Sequence, residues 1–178
     1  MEPEIRAYGI AKGFHPQTIR RWLNWAPADG SALERIALPL KISENHLRHL
    51  MDWLEEIALR DGVSIHSILA SKNLADIETD PRLGRADKLK RIKDQIRRLR
   101  FPRLAASEDA ILVKIQALKL GPEVRLSVPP GLEGGTLRVE FAASNQEDLK
   151  RLTEKLRQAV ERNCMEDIFK LLAGHVTG

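Results

Sequence analysis

A mostly helical α+β fold is predicted by three features of the chain. Apolar residues keep helical spacing from Glu4 to Ser71. Two short segments, Val124 to Val128 and Leu137 to Phe141, alternate apolar and polar residues as strands do. Helical stripes flank that pair, and a tail helix is expected around Ile168, Leu171 and Leu172. At 178 residues the chain has the length for two small domains, each with a modest core, and 43% apolar against 30% charged residues is a globular balance.

The elements follow in order. Gly13 closes the first helix and Pro16 opens the second. Trp25 to Ser31 reads as a loop, and Ala32 to Leu38 as a short helix stopped near Pro39. Ser43 predicts the N-cap of a helix running to about Asp61, with Ile42 and Leu47 as its hydrophobic staple. Beyond Gly62, the run Val63-Ser64-Ile65-His66-Ser67-Ile68 echoes Phe14 to Ile19 after Gly13. Both read as well-formed helix junctions, with two helix-turn-helix units as the alternative.

Ser71 to Asp87 loses periodicity and gathers turn residues. This predicts a linker at 72–85 between a helical, helix-turn-helix-like domain at 1–71 and a second domain at 86–178. That second domain opens with a helix whose Leu89, Ile92, Ile96 and Leu99 share one face. Pro102 then kinks or restarts the helix, and a stripe of Ile111, Ile115 and Leu118 ends at Gly121-Pro122. In the hairpin, Val124, Leu126, Val128, Leu137, Val139 and Phe141 form one oily face, opposite Arg125, Arg138 and Glu140. Ser144 and Glu147 predict a capping box for a helix with Leu149, Leu152 and Leu156 in line.

No apolar run approaches the roughly 18 to 20 residues that span a bilayer, and the acidic start MEPEIR lacks a secretory signal. A cytoplasmic protein without a membrane partner is expected. The single cysteine, Cys164, allows no internal disulfide and no Cys-based zinc site. His46, His49 and Asp52 share a helix face but read as solvated side chains rather than metal ligands. With no phosphate-cradling loop and no clustered carboxylates, no catalytic residue, metal or cofactor is expected, and the chain is not expected to be an enzyme.

In helix-turn-helix proteins a small residue sits four places before the turn Gly, where two helices cross closely, and an apolar residue six places after it plugs the core. Gly9, Gly13 and Ile19 stand in those places, so residues 7–23 resemble a generic helix-turn-helix. Gln17, Thr18, Arg20 and Arg21 then face outward, with side chains suited to adenine, backbone oxygen, and guanine or phosphate. The alternative is an ordinary helical corner with two solvated arginines.

Arg82 to Arg103 holds ten basic residues against two acidic ones, although the whole chain carries only +4. Within this belt Lys88, Lys90, Arg91, Lys93, Arg97, Arg98 and Arg100 fit a polyanion backbone, since Asp87 and Asp94 leave few salt bridges within the helix. A solvated face is the alternative.

Residues 107–156, with the Gly134-Gly135 turn, the L-x-V-x-F strand from Leu137, a Ser cap and the EDLKRL helix, resemble the C-terminal dimerisation module of ParB-type partition proteins. The resemblance implies pairing of two copies through the 107–160 region, with Arg125 and Arg138 touching DNA non-specifically. The nucleotide-binding domain of that family has no counterpart in this sequence. Physical argument leads to the same dimer, because a two-stranded hairpin is marginal alone and its oily face needs a cover. The expected function is therefore a homodimer that binds double-stranded DNA, in partition, nucleoid organisation or transcriptional regulation. The rival is a protein-protein adaptor docking an acidic partner.

Overall fold

The computed structural model describes residues 2–174. It is mostly helical with one small antiparallel sheet, and it divides into two compact units, Met1–Arg100 and Phe101–Gly178.

The first unit is all helix: α1 (Glu2–Ala11), α2 (Pro16–Leu23), α3 (Pro27–Leu40), α4 (Glu44–Asp61), α5 (Ile65–Leu69), α6 (Lys72–Thr79) and α7 (Arg85–Arg100). Gly13 and Gly62 end α1 and α4 in the left-handed region, at φ 70° and 66°, where a Cβ is penalised. Ile42 and Leu47 are both buried, as a staple across Ser43 requires, although the Ser43 side chain makes no capping bond. Ser64 does cap α5, accepting the Ser67 N–H.

Three expectations are corrected here. The loop at 25–31 is helical from Pro27, because proline at the first helical position lacks only an N–H that has no use there, and Gly30 lies under Trp22, whose Nε1–H donates to its carbonyl at 3.2 Å. The helix also runs past Pro39, which falls in its last turn and ends at Lys41 in a left-handed conformation. The expected linker at 72–85 contains α6, pinned by buried Leu74.

The division of the chain lies further on than 72–85. Ile92 and Ile96 of α7 are fully buried in the core of the first unit, together with Trp22, Leu33, Leu50 and Leu54. Arg60 donates to the Leu99 and Arg100 carbonyls at 2.9 and 2.6 Å, a cation on the negative end of α7. The basic helix thus belongs with the amino-terminal helices.

The second unit comprises α8 (Pro102–Ala117), β1 (Val124–Ser127), a 3-10 turn (Pro130–Gly135), β2 (Arg138–Phe141), α9 (Gln146–Val160) and α10 (Asn163–Leu172). Pro102 restarts the helix at its first position. The hairpin pairs Val124 with Phe141, Arg125 with Glu140, Leu126 with Val139 and Ser127 with Arg138. Its core gathers Ile111, Leu118, Val124, Leu152, Ile168 and Leu171. A Lys114–Asp167 ion pair of 2.7 Å joins α8 to α10 and holds the Asp167 carboxyl below its ordinary range. The cap of α9 lies one residue later than expected: Asn145 Oδ1 accepts the Asp148 N–H at 2.8 Å, Asn being as good a cap as Ser.

Candidate nucleic-acid interface

The α1–α2 corner is built on a close crossing. A Cβ on buried Gly9 would lie 2.7 Å from the Ile19 side chain, so only glycine fits with Ile19 where it stands. Tyr8 packs edge-on against Phe14 and Trp22, and its hydroxyl lies 2.8 Å from the Ile42 carbonyl. His15 caps α2, its Nδ1 accepting the Gln17 N–H at 3.3 Å. These contacts hold α2 closely against α1.

Of the four side chains expected to face outward from α2, the structure turns two away. Thr18 is buried and its hydroxyl donates to Glu44 Oε1 at 2.5 Å. It lies four residues before Trp22, on the same inward face. Arg21 is anchored to α4, 2.6 Å from Glu55 and 2.7 Å from Asp52, and the Glu55 hydrogen bond raises its pKa further. Glu55 also accepts from Trp25 Nε1 at 2.7 Å. Gln17 and Arg20 are exposed, and Arg20 carries no ion pair among the described residues.

The belt is divided likewise. Lys90 and Arg91 are exposed, while Arg97 pairs with Asp94 at 3.1 Å and Arg100 with Glu56 at 2.6 Å. Arg100 also lies 5.8 Å from the Trp53 ring centre. Lys88 donates to the Glu78 carbonyl at 2.7 Å, Lys93 Nζ lies 3.4 Å from His46 Nδ1, and Arg98 is half-buried. The expectation of an uncompensated belt is thus corrected at two positions: Asp94, on the same helix, neutralises Arg97, and Glu56 of α4, far off in sequence, neutralises Arg100. In the second unit Arg125 and Arg138 are exposed on the polar face of the hairpin, where Arg138 pairs with Glu140 at 2.9 Å.

His46, His49 and Asp52 engage different partners. His49 stacks on Trp53, Asp52 pairs with Arg21, and His46 lies beside Lys93. Among the described residues no group of three metal-ligating side chains converges.

Sequence reasoning passed over the first turns of α4. Thr18 and the His15 N–H both bond Glu44 Oε1, which pulls the start of α4 against the start of α2. A groove of about 450 Å³ lies between them, with Gln17, Asn45 and Arg48 on its walls. The readable signal was the i,i+4 pair Glu44 and Arg48 in the first turns of a helix; its proximity to α2 was not readable.

Among the described residues no helix is long and apolar enough to cross a membrane. No family model, curated protein or solved structure matches the chain, so the ParB-type resemblance rests on the residues quoted for it.

Proposed function

We propose that the chain is a DNA-binding homodimer of the cytoplasm that is not an enzyme, acting in partition, nucleoid organisation or transcriptional regulation. The first unit contacts duplex DNA and the second pairs two copies. The carrying observation is the α1–α2 corner, whose close Gly9–Ile19 crossing leaves Gln17 and Arg20 free at the surface. Lys90 and Arg91 add cationic charge suited to phosphates.

Charge supports the division of labour. Residues 1–100 carry eighteen basic and fourteen acidic side chains, whereas 101–178 carry eleven of each. A neutral unit with Val139, Phe141 and Leu149 exposed suits self-association better than polyanion binding. The partition role rests on the ParB-type resemblance alone.

The adaptor reading has one observation in its favour: Leu59, 87% exposed, stands beside exposed Val63 at the α4–α5 corner. A mobility-shift titration against random duplex DNA at two salt concentrations separates the two readings. A DNA binder loses affinity steeply as salt rises, and replacing Lys90 and Arg91 by alanine lessens that slope by about one per lost phosphate contact. Absence of binding at low salt favours the adaptor.

A further inference from the structure

We propose that the groove between the first turns of α2 and α4 reads a G·C base pair in the major groove of DNA, Arg48 donating to guanine and Glu44 accepting from cytosine. This inference rests on the DNA-binding reading above and adds to it the identity of one base pair.

Charge decides which part of DNA the groove suits. Arg21, on its wall, is already neutralised by Asp52 and Glu55. That leaves the cation Arg48 one turn along α4 from the anion Glu44. A phosphate entering the groove would meet the carboxylate, whereas a base edge carries no charge to repel. The groove is therefore matched to hydrogen-bonding groups rather than to the backbone.

Glu44 is fixed before anything binds. Its Oε1 accepts both the His15 N–H at 3.0 Å and the Thr18 hydroxyl at 2.5 Å, which holds its pKa down, with Arg48 adding a smaller electrostatic effect. Oε2 has no donor among the described residues, and Arg48 is exposed with no hydrogen bond or ion pair there. The two side chains stand four residues apart on one helix and line the same cavity, so a two-pronged donor lies beside an unoccupied acceptor.

That pairing complements one base pair best. The major-groove edge of G·C offers the guanine O6 and N7 acceptors beside the cytosine N4 donor, matching an arginine fork next to a carboxylate. Adenine sets a donor at N6 against the guanidinium, and thymine sets a methyl group and the O4 acceptor against the carboxylate. Gln17 and Asn45, each with donor and acceptor, suit the flanking pairs.

The test is selection of bound duplexes from a random pool by the full chain and by Arg48→Ala, with low-salt affinity for random duplex measured alongside. Arg48 is exposed, and circular dichroism of the variant checks that it folds. The wild-type chain is expected to enrich one position in G·C, and Arg48→Ala to lower that preference roughly ten-fold or more while the preferences at other positions stay unchanged. An unchanged motif in Arg48→Ala overturns the inference. So does equal weakening on all sequences with a smaller salt slope, which marks a phosphate contact. Random duplex bound without any enrichment overturns the inference alone; no duplex bound at low salt overturns it together with the DNA-binding reading.

Discussion

Two side chains decide whether α2 can present anything to a ligand. Ile19 fills the space that a side chain on residue 9 would take, so Gly9→Ala pits about 1 kcal/mol of helix propensity gained against about 1–3 kcal/mol of overpacking. Overpacking wins, and a net loss of about 1 kcal/mol is expected in urea unfolding followed by the tryptophans, all of which lie in the first unit. With Ile19→Ala already present the same change fills a void and becomes stabilising; that reversal of sign separates close packing from any other role of Gly9. Glu44 makes the second link, and pH tests it. The Thr18 hydroxyl holds the Glu44 carboxyl below the ordinary carboxylate range in the folded chain, while in the unfolded chain it titrates normally. The stabilisation is therefore complete above about pH 4.5 and is lost as pH falls through the lower folded value. Thr18→Val lacks that bond at every pH, so its urea midpoint is expected to lie below wild type at pH 7 and to converge on it as the solution is acidified below that folded value. Thr18's inward turn was legible from its spacing to Trp22; the capture of Arg21 by Asp52 and Glu55 was not, since helical periodicity names a buried face without naming what covers it.

Among the elements, α7 separates legible from illegible most clearly. Its start and its inward residues, Ile92 and Ile96, followed from apolar spacing, while its end was left to Pro102. Its membership in the first unit did not, because a stripe of leucine and isoleucine packs on any complementary surface, and only tertiary contacts show that α3, α4 and α6 provide it. Truncating Ile96 to alanine should thus cost about 2–5 kcal/mol and act on the tryptophan-monitored transition of the first unit. A loss seen only in a transition of the second unit would contradict the placement of α7. Elements with weak local signals were the ones missed. In α6 a single fully covered residue, Leu74, stands among turn formers, and the start of α3 is set by how Gly30 fits under Trp22. The cap of α9 moved by one residue because Ser144 and Asn145 are both competent and the backbone takes one of them. The candidate groove shows the same limit, since α2 and α4 each announced themselves while their junction through Glu44 depended on residues 26 to 29 positions apart.

At the scale of the molecule, the proposed dimer must cover a hairpin whose second strand is exposed along its whole length. Each strand has one neighbour, which leaves β2 an open edge beside exposed Val139 and Phe141. Its first three residues, Arg138-Val139-Glu140, carry opposite charges about Val139. If β2 pairs antiparallel with its own copy about a two-fold axis at Val139, each Arg138 stands opposite the other copy's Glu140. Arg138 and Glu140 already sit 2.9 Å apart on one face within a chain, so four alternating charges would close into a square across the axis. Like charges directly opposite one another are destabilising, and this sets the expected pattern in sedimentation. Arg138→Glu should shift the chain towards monomer by leaving four carboxylates together, Glu140→Arg should do so by leaving four cations, and the double exchange should restore the dimer because opposite charges still flank Val139 after reversal. Loss of the dimer in the double variant would place the contact elsewhere on the second unit, with Leu149 and the outer face of α9 next to be tested. Restoration would tie the oligomer to the strand edge by charge order, since both single variants and their combination leave the apolar residues untouched.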